Sequence, residues 1–321
     1  GHATDEEFHT GCTVFLCPEG TVGSVDVRGP APGSRELALL ALDKPIHHVN
    51  GVVLTGGSAF GLATADGVMR YLAEKNIGHP TPIRPIPIVP AAVVYDLFLG
   101  GGQFLPGAEM GYAACLEADE NNDLQGNVGV GAGVTVGKWG GRERMMKGGF
   151  GLATAVVNDL VVSAAAVVNA VGDVVAADGS VLAGARAKVG AAVDGAWLVA
   201  EDPWRRFPDR PTTQLGAEVT VGEDVVTGTN TTLAVVITNA VLTTVEANRL
   251  AQRAHDGLAI AIRPVHTTHD GDITFALATG AVIAAFDLVA NVAVEMVAEA
   301  IRNGVRHATT VADILGLAGN T

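Results

Sequence analysis

The stretch GTNTTLAVVITN, residues 228–239, sets a polar cluster with two adjacent threonines directly against six residues of almost unbroken apolar strand. Leu233 to Thr238 reads as a buried strand from its length and β-branched content. Thr243-Thr244-Val245-Glu246 then fits a capping box, which predicts a helix from there to about Ile262. Ile273 to Ala278 reads as a further strand. Ala284 to Asn303 predicts a long helix, apolar on most faces and so covered on more than one side, with Gly304 placed to end it. This alternation favours an α/β or α+β class.

The same reading extends upstream. Leu160 to Val168 and Val174 to Ala176 predict strands around the turn-like Ala170-Val171-Gly172-Asp173. Residues 126–137, GNVGVGAGVTVG, carry glycine at every second or third place, which implies tight turns or close backbone approach. Thr13 to Leu16, Val22 to Val27, Val52 to Leu54 and Ala92 to Phe98 read as strands. Ser34 after Gly33 reads as the N-cap of a helix carrying Leu37, Leu40 and Ala41. Thr55-Gly56-Gly57-Ser58 leads into a helix with Phe60, Ala63, Val68, Met69 and Leu72 on one side, and Gly107 to Glu117 predicts a short helix. Gly78 to Pro90 holds five prolines and reads as a loop or edge. Residues 201–224 are polar and read as an exposed connector.

Size and charge bound the function classes. A chain of 321 residues, 48% hydrophobic and 17% charged, can bury a large core and is not disordered. Mean hydropathy is +0.34, yet the longest charge-free apolar runs, such as Leu160 to Gly172, are too short to span a bilayer and contain Asn169. A membrane partner is therefore not expected. Net charge of −14 without any Lys/Arg cluster argues against nucleic acid. Three cysteines, Cys12, Cys17 and Cys115, leave one unpaired in any disulfide scheme and favour a cytoplasmic location.

Several familiar motifs fail. Gly133 to Lys138 lacks one residue of P-loop spacing, and no glycine triplet in 126–137 fits GxGxxG. Gly56-Gly57-Ser58-Ala59-Phe60 misses the last glycine of a nucleophile elbow, which leaves Ser58 as a helix cap. Asp119 to Asp123 starts like a calcium loop but has Leu124 where glycine is needed. His266, His269 and Asp270 lack the further ligands of a zinc site, and neither a metal nor a cofactor is expected.

One constellation survives. Thr231 stands at the mouth of a strand, and His266-Thr-Thr-His269-Asp270-Gly271-Asp272 leads into another. If that segment is extended, Asp270 and Asp272 share a face. Two carboxylates held together do not both ionise freely, so one keeps a raised pKa and can handle protons. A threonine hydroxyl is a poor nucleophile without a base, but a threonine at a chain terminus carries one in its α-amine. That chemistry requires the peptide bond before Thr231 to be cut. Asn230-Thr231-Thr232 is also an N-x-T sequon and a polar turn at a strand start, and the residues alone leave those readings open.

The order of the segments adds a resemblance that covers nearly the whole chain. Gly1-His-Ala-Thr4, Ser24-Val-Asp-Val-Arg-Gly29, Ala31-Pro-Gly-Ser-Arg-Glu36 and Leu54-Thr-Gly-Gly-Ser-Ala-Phe-Gly61 resemble the DmpA-type aminopeptidase and NylC-like nylon-oligomer hydrolase family of self-cleaving N-terminal-nucleophile hydrolases. Members usually carry residues before the first of these segments, so an upstream strand is expected. NTTLAVVITN is similar to the Asn-Thr cleavage segment of the nylon-oligomer branch. The resemblance implies a four-layer α/β/β/α sandwich of the DmpA/ArgJ-like kind, one domain over 1–321 cut into 1–230 and 231–321, and a homotetramer of cleaved protomers.

It also implies a site. Thr231 is the nucleophile and Asn230-Thr231 the autocleavage junction. Lys138 in Val136-Gly-Lys138, Asn169 in Val167-Val-Asn169, Tyr95 in Val94-Tyr95-Asp96 and the pair Asp270 and Asp272 match catalytic positions of that branch. The substrates it implies are 6-aminohexanoate oligomers or, in other members, short or β-amino peptides. Acetyl transfer, as in the related ornithine acetyltransferases, and a non-catalytic binding or assembly protein are the competing classes.

Overall fold

The computed structural model describes residues 1–188, 196–201 and 229–319. The predicted connector at 201–224 lies, but for its first residue, outside them. Two five-stranded sheets form the centre. The first contains β1 (His2–Asp5), β2 (Thr10–Leu16), β4 (Ser34–Arg35), β5 (Gly51–Thr55) and β6 (Ala91–Val93), in the order β1-β2-β5-β6-β4. The second contains β3 (Val22–Val27), β9 (Phe150–Val157), β10 (Leu160–Asn169), β13 (Thr231–Ala240) and β15 (Ile273–Val282), in the order β3-β15-β13-β10-β9. Small ladders, β7 (Thr135–Val136) with β8 (Met146–Lys147) and β11 (Asp173–Val175) with β12 (Val181–Ala183) and β14 (Ile262–Arg263), brace the rim.

Helices α1 (Thr64–Glu74) and α3 (Ala108–Leu116) contribute to the layer on the first sheet, and α5 (Thr244–Ala261) and α6 (Phe286–Arg306) cover the second. Single turns α2 (Leu97–Gly100) and α4 (Leu198–Glu201) complete the described α-helices. The result is the expected four-layer α/β/β/α sandwich. Each sheet contains one parallel pair, β5 with β6 and β13 with β15, and α1 or α5 lies in the connection between the two strands.

The period-two pleat sorts the core. On β13, Leu233 and Val235 face the other sheet, while Ala234 and Val236 face the helices. On β10, Ala165 and Val167 point inward, and Ala164, Ala166 and Val168 face the helices. The alanines on the helical side keep the pleated surface shallow. Strands buried on both faces read as continuous apolar runs, as GTNTTLAVVITN does.

Local signals held where they were self-contained. Thr243 accepts from the Glu246 N–H while the Glu246 carboxylate accepts from the Thr243 N–H, so the capping box opens α5 as expected. All three cysteines are free. Among the described residues no helix is long and apolar enough to cross a membrane.

Other expectations need correction. No α-helix follows Ser34, which belongs to β4; Glu36 takes φ 62° and its carboxylate accepts from the Val89 N–H, leaving a single 3₁₀ turn at Leu37–Leu40. Ser58 is not a cap: it has φ 53° and donates its N–H to the Val94 carbonyl. Phe60, expected on the buried side, is 67% exposed because a 3₁₀ stretch, Ser58–Ala63, precedes α1. The strand from Ala92 stops at Val93, since Asp96 turns inward to accept from Thr10 Oγ1 and the Gly57 N–H.

Gly304 does not end α6, which continues to Arg306. It is the point at which the helix meets the backbone of β9. A Cβ placed on Gly151 would lie 2.0 Å from the Ala300 oxygen and 2.3 Å from the Gly304 nitrogen. Helix and strand touch main chain to main chain. Gly151→Ala is therefore expected to cost about 1–3 kcal/mol through overpacking, read as an earlier midpoint in urea unfolding. An unchanged midpoint would mean that α6 can move off β9 freely.

Candidate active site

Thr231 is the first residue of β13, and it pairs with Asn169, the last residue of antiparallel β10. On its other side β15 runs parallel, in a register that sets Leu233 beside Ile273. Continued back, that register bridges Asn230 to Asp270, and so places Thr231 beside Gly271 and Thr232 beside Asp272. A parallel pair brings two strand starts to the same end of a sheet. The polar clusters Asn-Thr-Thr and Asp-Gly-Asp meet for that reason.

The Asn230 carbonyl is the focus. Its oxygen accepts from Thr231 Oγ1 at 2.6 Å and from the Gly271 N–H at 2.8 Å. A hydroxyl thus lies against the carbonyl of the peptide bond that precedes it, and a main-chain donor polarises that carbonyl. Gly271 cannot carry a side chain here, because a Cβ would come within 2.8 Å of Thr231 Oγ1 and 2.5 Å of the Ala31 oxygen. Residues 28–31 back this turn: the N–H groups of Arg28 and Gly29 donate to the Asp272 carbonyl, and that of Ala31 to the Asp270 carbonyl.

The two aspartates use their side chains differently. Asp272 Oδ1 accepts from the Thr232 N–H at 2.6 Å. Asp270 Oδ2 accepts from the Thr267 N–H and hydroxyl at 2.8 and 2.7 Å. Both are buried. Burial, reinforced by the Asp272 charge and opposed by the Thr267 hydrogen bonds, pushes the Asp270 carboxyl up to about 6. Of the pair, Asp270 is the member whose carboxyl is raised above its ordinary range.

Lys138 and Asn169 join them from the β10 side. Lys138 is buried, and its Nζ donates to Asn169 Oδ1 at 2.7 Å, the Thr135 carbonyl at 2.9 Å, the Asn169 carbonyl at 3.1 Å and Thr135 Oγ1 at 3.2 Å. Burial pulls its ammonium well below the usual lysine range, against the opposing pull of the Asp270 charge. With Asn169 Oδ1 tied to Lys138 and to the Thr135 N–H, the amide Nδ2 is aimed the other way, at the carbonyls of Tyr95 (3.0 Å) and Thr229 (3.1 Å). Tyr95 enters through its backbone carbonyl, while its half-buried ring packs on Phe98 with centroids 5.0 Å apart.

Sequence reasoning missed two groups. One is the Gly271 N–H, a backbone donor that no side-chain pattern announces. The other is Lys147, wholly buried, whose Nζ donates to the Ala132 and Val134 carbonyls at 2.8 and 2.9 Å and so holds the glycine-rich loop together. Burial lowers this ammonium to about 7, with the Asp96 charge opposing. Among the described residues no three His, Cys, Asp or Glu side chains are grouped to hold a metal ion.

The family model for peptidase family S58 matches residues 1–318. An uncharacterized aminopeptidase of Mycobacterium tuberculosis is 42% identical over 276 residues, which span 85% of this chain and 74% of that one. A 6-aminohexanoate-oligomer endohydrolase of Paenarthrobacter ureafaciens is 30% identical over 281 residues, spanning 87% and 72%. Among solved structures, a Burkholderia sp. beta-aminopeptidase superposes with a TM-score of 0.69 at 20% identity, covering 99% of this chain and 88% of that one. The L-aminopeptidase D-Ala-esterase/amidase of Ochrobactrum anthropi, a variant of the Ntn hydrolase fold, gives 0.68 at 17% identity, covering 99% and 87%. On the match along almost its full length, the chain belongs to peptidase family S58 and is an amide-bond hydrolase.

Proposed function

We propose that this hydrolase processes itself at Asn230-Thr231 and then uses Thr231 as an N-terminal nucleophile on linear amides. The observation that carries the reading is the Asn230 carbonyl, flanked by Thr231 Oγ1 and the Gly271 N–H beside two buried carboxylates. In self-processing, Oγ1 adds to the Asn230 carbonyl carbon and the C–N bond breaks, moving the acyl group from nitrogen to oxygen. The proton lost by the hydroxyl is matched by the one gained by the departing amine. Water then hydrolyses the ester, releasing the Asn230 carboxylate and a free Thr231 amine. The two pieces, 1–230 and 231–321, remain together as one protomer of a homotetramer.

In the mature site the α-amine takes the Oγ1 proton as Oγ1 attacks a substrate amide, and the acyl-enzyme is hydrolysed. Asp272 orients the start of β13, and Asp270 supplies the titrating carboxyl. The Gly271 N–H and the Asn169 amide, fixed by Lys138, serve as donors to the oxyanion, and Asn169→Ala is expected to cost about 10²–10³ in rate. Tyr95 holds the Asn169 amide through its backbone carbonyl. The resemblance to the 6-aminohexanoate-oligomer endohydrolase at 30% identity supports oligoamides of 6-aminohexanoate as substrates. The 42% identity to an aminopeptidase supports a second reading, hydrolysis of short or β-amino peptides. Release of 6-aminohexanoate products from soluble oligomer, against p-nitroaniline release from aminoacyl anilides, separates the two.

Intact mass with N-terminal sequencing is the direct test. Fragments of 230 and 91 residues, the smaller starting Thr-Thr-Leu-Ala, are expected from the parent chain, and a single uncut chain from Thr231→Ala. A Thr231→Ala protein that still cuts at this bond would rule the scheme out.

The aspartate pair adds a pH test. Asp270 has its folded pKa, about 6, above the unfolded value near 3.8, so its contribution to stability is complete below the unfolded pKa and is lost as pH rises through about 6. In an uncut Thr231→Ala background, urea unfolding of Asp270 and Asp270→Asn proteins is expected to show their stability difference shifting against the aspartate between pH 4 and 6. A difference constant over that range would mean that Asp270 is ionised throughout.

A further inference from the structure

His266, part of no metal-ligand group among the described residues, is bound to the site through Asp272. Asp272 Oδ2 accepts from His266 Nδ1 at 2.7 Å and from the His266 backbone N–H at 3.3 Å. With the carboxylate ionised, its oxygen accepts both contacts and Nδ1–H is the donor. Both donors converge because His266 holds φ 53°, a left-handed conformation that few side chains adopt, with His and Asn among those that do. The other edge of the ring is closed off: Nε2 is buried without a hydrogen bond, and the ring stands edge-on to buried His255 with centroids 4.8 Å apart. His255 is anchored in turn to the Asp26 carbonyl at 3.2 Å.

The links run in one direction. Asp26 and His255 fix the imidazole, the imidazole fixes one Asp272 oxygen, and the other Asp272 oxygen holds the Thr232 N–H. Thr231 is the residue next to the one this last bond holds, and it pairs with Asn169 on its other side. We propose that His266 is a positioning residue for amide cleavage, acting through Asp272 to hold the first residues of β13 so that Thr231 Oγ1 stays against the bond it attacks. The proposal rests on the reading of Thr231 as the nucleophile. Without the Nδ1 donor, Asp272 Oδ2 keeps only the longer contact from the His266 backbone N–H, and the carboxylate that holds the Thr232 N–H is less firmly fixed.

Two variants separate this role from simple loop stapling. His266→Asn keeps an amide donor close to the Nδ1 position and tolerates the left-handed backbone. His266→Gly tolerates that backbone even better but has no donor, and His266→Ala replaces it if the glycine variant does not fold. With thermal midpoints measured for each, the donor-less variant is expected to cut at Asn230-Thr231, and to turn over whichever of the two substrates the parent uses, about 10²-fold more slowly in kcat, the scale of a misplaced reacting group. KM is expected to stay unchanged, and His266→Asn to recover most of the rate. Parent-like rates in a folded donor-less variant, or a folded His266→Asn as slow as that variant, would overturn the role while leaving the nucleophile in place. A parent chain that neither cuts nor hydrolyses either substrate would remove the nucleophile reading and this role with it.

Discussion

The parallel pairing of β13 with β15 is the constraint on which the site depends. Leu233 lies beside Ile273, and every contact at the strand mouths follows from that register. A slip by one residue would turn Leu233 and Val235 toward the helices and expose Ala234 and Val236 to the other sheet. The core between the sheets forbids this, since Leu233, Val235, Ile273 and Phe275 fill it together. Hydrophobic packing deep in the sandwich thereby sets which backbone N–H, that of Gly271, meets the Asn230 carbonyl at its edge.

Charge is then placed inside this packing, away from the surface. Two lysines and three aspartates, Lys138, Lys147, Asp96, Asp270 and Asp272, are buried around this end of the sheets. An isolated buried charge is costly, and each of these is instead surrounded by fixed dipoles or by an opposite charge. Lys147 and Lys138 are wrapped by backbone carbonyls, whereas Asp96 and Asp272 are met by N–H groups and hydroxyl or imidazole donors. Such environments fix the side chains in single orientations, and burial lowers the pKa of the Lys138 and Lys147 ammonium groups and raises that of the Asp96 and Asp270 carboxyls. Glycines make the wrapping possible: a Cβ on Gly56 would come within 2.0 Å of Asp96 Oδ2, and one on Gly29 within 2.1 Å of the Asp272 nitrogen.

Much of this was legible from the residues, and the failures have a common cause. The α5 capping box, the strands around β13 and the long α6 helix are local patterns, and they formed as read. Glu36, Ser58 and Gly304 were read by local rules as well, but each is governed by a partner distant in the chain: the Val89 N–H, the Val94 carbonyl and the β9 backbone. The aspartate pair could be paired by period two, and Thr231 by its place at a strand mouth. Lys138, Asn169 and Tyr95 were visible only through family resemblance, because nothing in their neighbours marks them as buried or convergent. Lys147 sits in the sequence MMKGG and looks like a surface charge, and the Gly271 N–H has no side chain to betray it.

The carbonyls of Thr229 and Asn230 already occupy the Asn169 amide and the Gly271 N–H. These acceptors are tethered to β13 by one or two residues, so they compete for the donors at an effective concentration that a dissolved ligand reaches only with difficulty. In this state the chain is its own bound amide. On the proposed role of those donors, access for any other amide is a question of displacement, set by how far residues 229–230 withdraw, before it is a question of affinity.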